Sequence, residues 1–385
     1  MKTWAPRRKH SWASLGALTA LWLIPASARG QDWAWRVERV DDSGRSTSLA
    51  TDDSGNVHIS YSRDGDGLKY GFRPVGSAQW FTMVLGGNTN YTRIALDKNA
   101  NASICSTFNG VTYSHFDGKK WLSQPVAPDS SPIQFSCAVA VGPDGAPHLS
   151  WYKDQNADHT MYGHIKYADL EDGVWIVRTL DFDQITGKWH SMVLDSDGNP
   201  YVAYDSFVAG AIKYARWDGK NWTIHLVDSR NMRKSEYYNG GMGNCIRLDS
   251  QGKVHISYYT ESAIKYAHQE GDRWIVQTVA SLGTTQFGSW RQYRSTLVLD
   301  KQGFPHISYE ASGTLRHAYW DGQQWRNQVV ARSGADPLLE SSMTIAPDDT
   351  IYIAYRDPDD GSLNVAIGHR GETPQTAGPE KKDKN

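Results

Sequence analysis

Lys188, Trp189 and His190 stand together in this chain, and two longer stretches mix aromatic rings with cations and amides: DSRNMRKSEYYNGGMGN from Asp228 to Asn244 and QFGSWRQYR from Gln286 to Arg294. A further stretch, YKDQNADHTMYGH, runs from Tyr152 to His164. Imidazole and phenol groups can move protons. A guanidinium fork holds carboxylate or sulfate through two parallel hydrogen bonds, and indole and phenol faces stack on flat surfaces. The candidates for proton transfer are His190, His164, Tyr237 and Tyr238, with Arg294 to neutralise an anion. The candidates for holding a ligand are Trp189, Trp290, Arg291, Tyr293, Arg233 and Asn239. This mixture suits an acidic sugar; the alternative is a protein-binding patch, since Trp, Tyr and Arg are also the usual hot-spot residues.

The elements that must position these residues are repeats. Aligned on the turn Asp-x-x-Gly-x-x-His, the chain shows seven copies with register points at 55, 100, 145, 198, 252, 303 and 349. Each copy reads as four short strands: one ending in Leu-Asp, one reading His-Ile-Ser-Tyr, one reading Ile-Lys-Tyr-Ala, and one beginning at Trp. Apolar and polar residues alternate along them, and one four-stranded sheet per repeat is the pattern of a propeller blade. The predicted fold is therefore all-β, a seven-bladed β-propeller spanning residues 29–371. The fourth strand recurs at Trp80, Trp121, Trp175, Trp222, Trp274 and Trp325, but the last repeat ends before supplying one. Trp35 to Val40 near the start supplies it, so the N-terminal strand is expected to close the last blade and remove an open sheet edge.

Repetition also separates scaffold from site. His58, His148, His255 and His306 share one register point with Tyr201 and Tyr352, which makes them hairpin packing positions. Lys69, Lys166, Lys213 and Lys265 recur in the third strand as solvated or blade-packing residues, and the tryptophans are read as packing between blades. The four stretches named above do not repeat. They fall in the connections of one face and along one arc, blades 3 to 6, where long loops on a rigid scaffold carry function.

The first 28 residues have a basic start, a short apolar run and an Ala26-Ser27-Ala28 cleavage pattern, the marks of a secretory signal peptide. The mature protein is expected to be secreted or periplasmic, without membrane insertion, and monomeric. The polar segment 372–385 reads as a disordered tail. With a net charge of −2 and no basic block, nucleic acid is not an expected partner. DGDG at 64–67 and DPDDG at 357–361 lack the full ligand spacing of calcium loops, so no metal and no cofactor are expected. Of Cys105, Cys137 and Cys245, an oxidising compartment leaves room for one bridge, for which Cys105 and Cys137 in adjacent repeats are the better-placed pair.

The run Leu-Asp-x-x-Gly-x-x-His-Ile-Ser-Tyr, then Lys-Tyr-Ala, then Asp-Gly-x-x-Trp, resembles the repeats of exported bacterial β-propellers loosely grouped as BNR-like, among them sialidases and the seven-bladed ulvan-type polysaccharide lyases. It covers nearly the whole mature chain. A sialidase box would read Ser-x-Asp-x-Gly-x-x-Trp, whereas LDSDGNPYVAY at 194–204 has lost the aromatic end, and a sialidase would have six blades. The lyase resemblance implies β-elimination at a uronate. That reaction needs a cation for the carboxylate, a base for the C5 proton and an acid for the leaving oxygen. In those roles the expectation is His190 or His164 as base, Tyr237, Tyr238 or Tyr293 as acid, and Arg291 or Arg294 as neutraliser. A non-catalytic lectin and a protein-interaction scaffold are the competing readings.

Overall fold

The computed structural model describes residues 33–127, 136–154, 163–183, 185–229, 243–260, 262–283, 294–332 and 341–371. They form seven four-stranded antiparallel sheets, each a meander of consecutive strands except one. In that sheet the N-terminal strand Trp33–Asp41 pairs antiparallel with the last strand Leu363–Arg370, as the missing seventh tryptophan strand requires. The four strands of each blade are lettered A to D outward from the axis. The signal-peptide segment, residues 1–28, and the tail, 372–385, lie outside the described residues.

The tryptophans pack between blades in a regular relay. The third-strand tyrosine of one blade meets the fourth-strand tryptophan of the next edge to face, as for Tyr113 and Trp175 at 5.5 Å, Tyr167 and Trp222 at 4.9 Å, and Tyr266 and Trp325 at 5.3 Å. His317 replaces the tyrosine in blade 6 and takes Trp35 at 5.3 Å. Such pairs gain about 0.5–1.5 kcal/mol beyond the area they bury.

The repeated histidines are packing residues of their hairpins. Nδ1 of His58 lies 2.7 Å from the Tyr70 hydroxyl, and Nδ1 of His255 lies 2.5 Å from that of Tyr266. Their Nε2 atoms face the turn carboxylates of Asp52 at 3.7 Å and Asp249 at 3.5 Å. The Asp-x-x-Gly-x-x-His motif therefore wires turn, second strand and third strand of a blade together. The repeated lysines divide: buried Lys69 and half-buried Lys213 are ion-pair partners, whereas Lys166 and Lys265 donate to the fourth-strand hydroxyls of Thr179 and Thr278.

Strand A has a sheet neighbour on one side only. Its free edge is met by hydroxyls of the adjacent blade. Ser46 and Ser48 in blade 1 each accept from blade 2, from the Thr92 and Ile94 amides at 3.2 Å, and Ser191 in blade 4 accepts from the Ile246 amide of blade 5 at 2.9 Å. Cys105 and Cys137 form a disulfide from blade 2 to the start of blade 3, and Cys245 is a buried free thiol.

The seam between blades 7 and 1 is held by two carboxylates of the N-terminal strand. Asp41 accepts from Tyr61 at 2.6 Å, Lys69 at 2.6 Å and Arg63 at 3.0 Å. Glu38 takes Nε of Arg73 at 2.7 Å and its Nη2 at 3.0 Å. Burial alone would push both carboxyls up. The hydrogen bonds from Lys69 and Tyr61 to Asp41, and from Arg73 and Arg36 to Glu38, outweigh it and hold both below the usual carboxylate range. Their stabilising contribution is thus present at neutral pH and is lost as pH falls through the depressed values. Asp41→Asn and Glu38→Gln should each cost about 3 kcal/mol at pH 7 in urea unfolding. The gap between variant and wild type should narrow as pH falls below the ordinary carboxylate range; coincident curves at pH 7 would remove the seam from the account of stability.

Candidate functional site

The seven A strands start at one end of the axial channel, so their first residues ring its mouth. Counting back from the turn position places residues in tiers. Six positions before Asp97, Asp195 and Asp300 stand Tyr91, Trp189 and Arg294; the same tier holds Ser46, Ser136 and Gly243 in blades 1, 3 and 5. In a ring, equal register means equal depth. Three large side chains from blades 2, 4 and 6 therefore converge among small ones.

They are in contact. The Arg294 guanidinium lies 5.4 Å from the ring of Tyr91 and 5.2 Å from that of Trp189, and the two rings meet edge to face at 6.4 Å. Stacking on two aromatic faces stabilises a cation by about 0.5–2 kcal/mol. Arg294 is only 6% exposed, and its Nε and Nη2 have no hydrogen-bond partner among the described residues.

Trp189 is aimed by a local irregularity. Strand A of blade 4 (Thr186–Leu194) bulges between Thr186 and His190, and Gly187 within it has φ of 84°. A Cβ at Gly187 would lie 2.6 Å from that of Ile165, so the bulge is closed to other residues. The Trp189 amide then donates to Oδ1 of Asp205 at 3.0 Å, and its carbonyl accepts from Nδ2 of Asn244 at 2.7 Å. Holding the peptide groups on both sides of this residue fixes the indole at the mouth.

His190 follows on the same strand. Its Nδ1 lies 2.9 Å from the Gly187 carbonyl, which can only accept, so the proton sits on Nδ1. The Ser136 hydroxyl is 3.1 Å from the same nitrogen. Burial pushes its pKa down to about 4, with the Ser150 and Gly187 carbonyls opposing, so the ring is neutral at physiological pH. Asp205 moves the other way: burial pushes its carboxyl up to about 6, against the pull of the Trp189 amide and Lys188. The Lys188 ammonium lies over the Tyr152 ring at 5.8 Å, and burial lowers its pKa against the opposing charges of Asp154 and Asp205.

The expected residues are thus partly assembled. Trp189, His190 and Arg294 line one axial cavity of about 150 Å³, together with Arg93, Asn244 and Arg247. His164 is elsewhere: it lies on strand C of blade 3 (Gly163–Glu171), with Nδ1 3.0 Å from the Asp183 carbonyl and its ring beside the exposed Phe182. It is not among the residues lining that cavity. Tyr237, Tyr238, Trp290, Arg291, Tyr293, Arg233 and Asn239 lie outside the described residues. Sequence reasoning missed Tyr91, Asn244 and Asp205. Tyr91 was within reach, because it shares the register of Trp189 and Arg294.

No protein-family model matches the chain, and no curated protein matches it in sequence. Solved structures share the fold. A mutant of the Aleuria aurantia lectin in complex with Fucα1-6GlcNAc aligns at 13% identity and TM-score 0.53, covering 77% of this chain and 99% of the lectin. AofleA from Arthrobotrys oligospora aligns at 11% identity and TM-score 0.52, covering 80% of this chain and 93% of its own. An ulvan lyase bound to GlcA(1-4)Rha3S aligns at 13% identity and TM-score 0.53, covering 86% of this chain and 95% of the lyase.

The raised Asp205 carboxyl has a measurable consequence. Its folded pKa lies above the unfolded value, so its contribution to stability is complete below the unfolded pKa and is lost as pH rises through about 6. Asp205→Asn should therefore gain on the wild type by roughly 3 kcal/mol between pH 4 and pH 8 in urea unfolding. A difference independent of pH would place the carboxyl in a better solvated setting than its burial indicates.

Proposed function

We propose that this protein is a carbohydrate-active propeller that takes an acidic polysaccharide on the face where the A strands begin, and that it acts on the glycan by β-elimination at a uronate. The observation that carries the reading is the convergence of Trp189, His190 and Arg294 on one cavity at that face. An indole, a neutral imidazole and a buried cation are the parts that stacking, proton abstraction and anion neutralisation require. The lectin and the lyase of similar fold, each named with a bound saccharide, support a glycan as the ligand class.

In this mechanism Arg294, or Arg291, neutralises the uronate carboxylate and lowers the cost of charge developing as the C5 proton leaves. His190 is the base, its proton held on Nδ1 by the Gly187 carbonyl so that Nε2 is the accepting atom. Tyr237 or Tyr238 protonates the leaving oxygen, and Trp189 stacks on the sugar. The protein would act outside the cytoplasm, in keeping with the signal-peptide pattern of residues 1–28.

A second reading, binding without cleavage, is favoured by one observation. His190 is 5% exposed, and desolvation leaves it a weak base.

One assay separates the two. Purified mature protein is mixed with a panel of uronate polysaccharides and followed by ultraviolet absorbance for the conjugated double bond that elimination creates. β-Elimination predicts a rise that Arg294→Gln lowers about a hundredfold and that His190→Gln abolishes. A flat trace with calorimetric binding that Trp189→Ala weakens would establish the lectin reading. Neither turnover nor binding across the panel would reject both.

A further inference from the structure

We propose that the axial channel is a binding site for a tetrahedral oxyanion of the sulfate class. Three arginines line the 150 Å³ cavity, each from a different blade: Arg93 from blade 2, Arg247 from blade 5 and Arg294 from blade 6. No carboxylate is among its described lining residues; Glu340, which holds the blade 7 position of the Arg294 tier, lies outside the described residues. Counted from the turn position they stand at six, four and two residues in the order Arg294, Arg93, Arg247. At about 3.3 Å per strand residue, successive guanidinium-bearing positions are stepped roughly 7 Å apart down the axis. The channel is thus a staircase of positive charge.

Among the described residues Arg294 keeps donors that no acceptor meets. Arg93 and Arg247 each spend one nitrogen on a carbonyl of their own strand, Thr92 at 2.8 Å and Ile246 at 2.7 Å. Arg294 spends neither Nε nor Nη2 on any described residue. Those two atoms form the side fork of a guanidinium, the edge that binds an oxyanion through two parallel N–H bonds. A buried guanidinium fork that meets no acceptor among the described residues is costly, and stacking on Tyr91 and Trp189 offsets only part of that cost. Small hydroxyl residues, among them Ser295, Thr296 and Ser342, complete the wall. Sulfate and its few bridging waters fit the volume, whereas drug-sized ligands need about 300 Å³ or more. The bound ion would tie blades 2, 5 and 6 together across the axis.

This site shares its cavity, with Trp189, His190 and Arg294, with the glycan reading, so the test reads sulfate binding apart from glycan turnover and binding. The probe is sodium sulfate, compared with sodium chloride at matched ionic strength, and the readouts are thermal unfolding and calorimetry of the mature protein. Sulfate should raise the unfolding temperature saturably. Arg294→Gln should weaken its binding on the order of tenfold or more, and the half-buried Arg93→Gln, the variant better tolerated by the fold, should weaken it to a smaller degree. A second arm adds a sulfated polysaccharide and its desulfated form: competition between sulfate and the sulfated polymer assigns the site to a sulfate ester, and sulfate binding without competition assigns it to a free ion. Either result supports the site. Equal effects of sulfate and chloride on the wild type, or sulfate binding unchanged in both variants, would overturn it while leaving glycan turnover and binding to be judged on their own.

Discussion

Each blade of this protein brings an unpaired strand edge to the axis, and the ring depends on satisfying that edge. Backbone amides left unpaired in a buried setting would each cost about as much as a lost hydrogen bond, repeated around the ring. The protein answers with hydroxyls, as where Ser46, Ser48 and Ser191 reach across to the next blade. A short side chain is needed because the blades are closest there. The inner strands are accordingly rich in Ser, Thr, Ala and aliphatic residues, and a large aromatic or charged residue among them departs from what the scaffold asks. Tyr91, Trp189 and Arg294 are such departures, all in one tier.

The same ring shows why constellations that look catalytic need not be. Asp300, His306 and His317 stand in line, with His306 Nε2 3.4 Å from the carboxylate and its Nδ1 3.0 Å from His317. In isolation this would pass for a proton relay. It recurs as Asp52–His58–Tyr70 in blade 1 and Asp249–His255–Tyr266 in blade 5, at sites that face a neighbouring sheet. Repetition marks scaffold, because a binding site breaks the symmetry that packing preserves.

At the channel mouth the symmetry is broken electrically as well as sterically. Burial acts on Asp205, Lys188 and His190 in the direction of their neutral forms, while the Arg294 guanidinium lies between two aromatic rings. The elsewhere-paired carboxylates of the seam show the contrast: Asp41 and Glu38 are half-buried, but their donors win and both stay ionised. The seam spends its charges on holding the ring closed. The mouth leaves donors unspent, at a cost in stability that a ligand would recover.

The repeat register, the alternation within each copy and the missing seventh tryptophan strand determined the fold without any coordinates, because strand pairing is local along a meander and ring closure is a matter of counting. The same register implied that the repeated histidines are packing residues and that the unusual side chains of blades 4 to 6 lie on one face. What the sequence could not decide was depth and company. His164 and His190 carry the same chemistry on the same face, yet one sits on a third strand beside Phe182 and the other on the innermost strand under desolvation. The raised carboxyl of Asp205 and the unspent fork of Arg294 exist only when residues from three blades close around them. Burial and the dielectric it imposes are properties of the assembled ring, and no spacing along the chain encodes them.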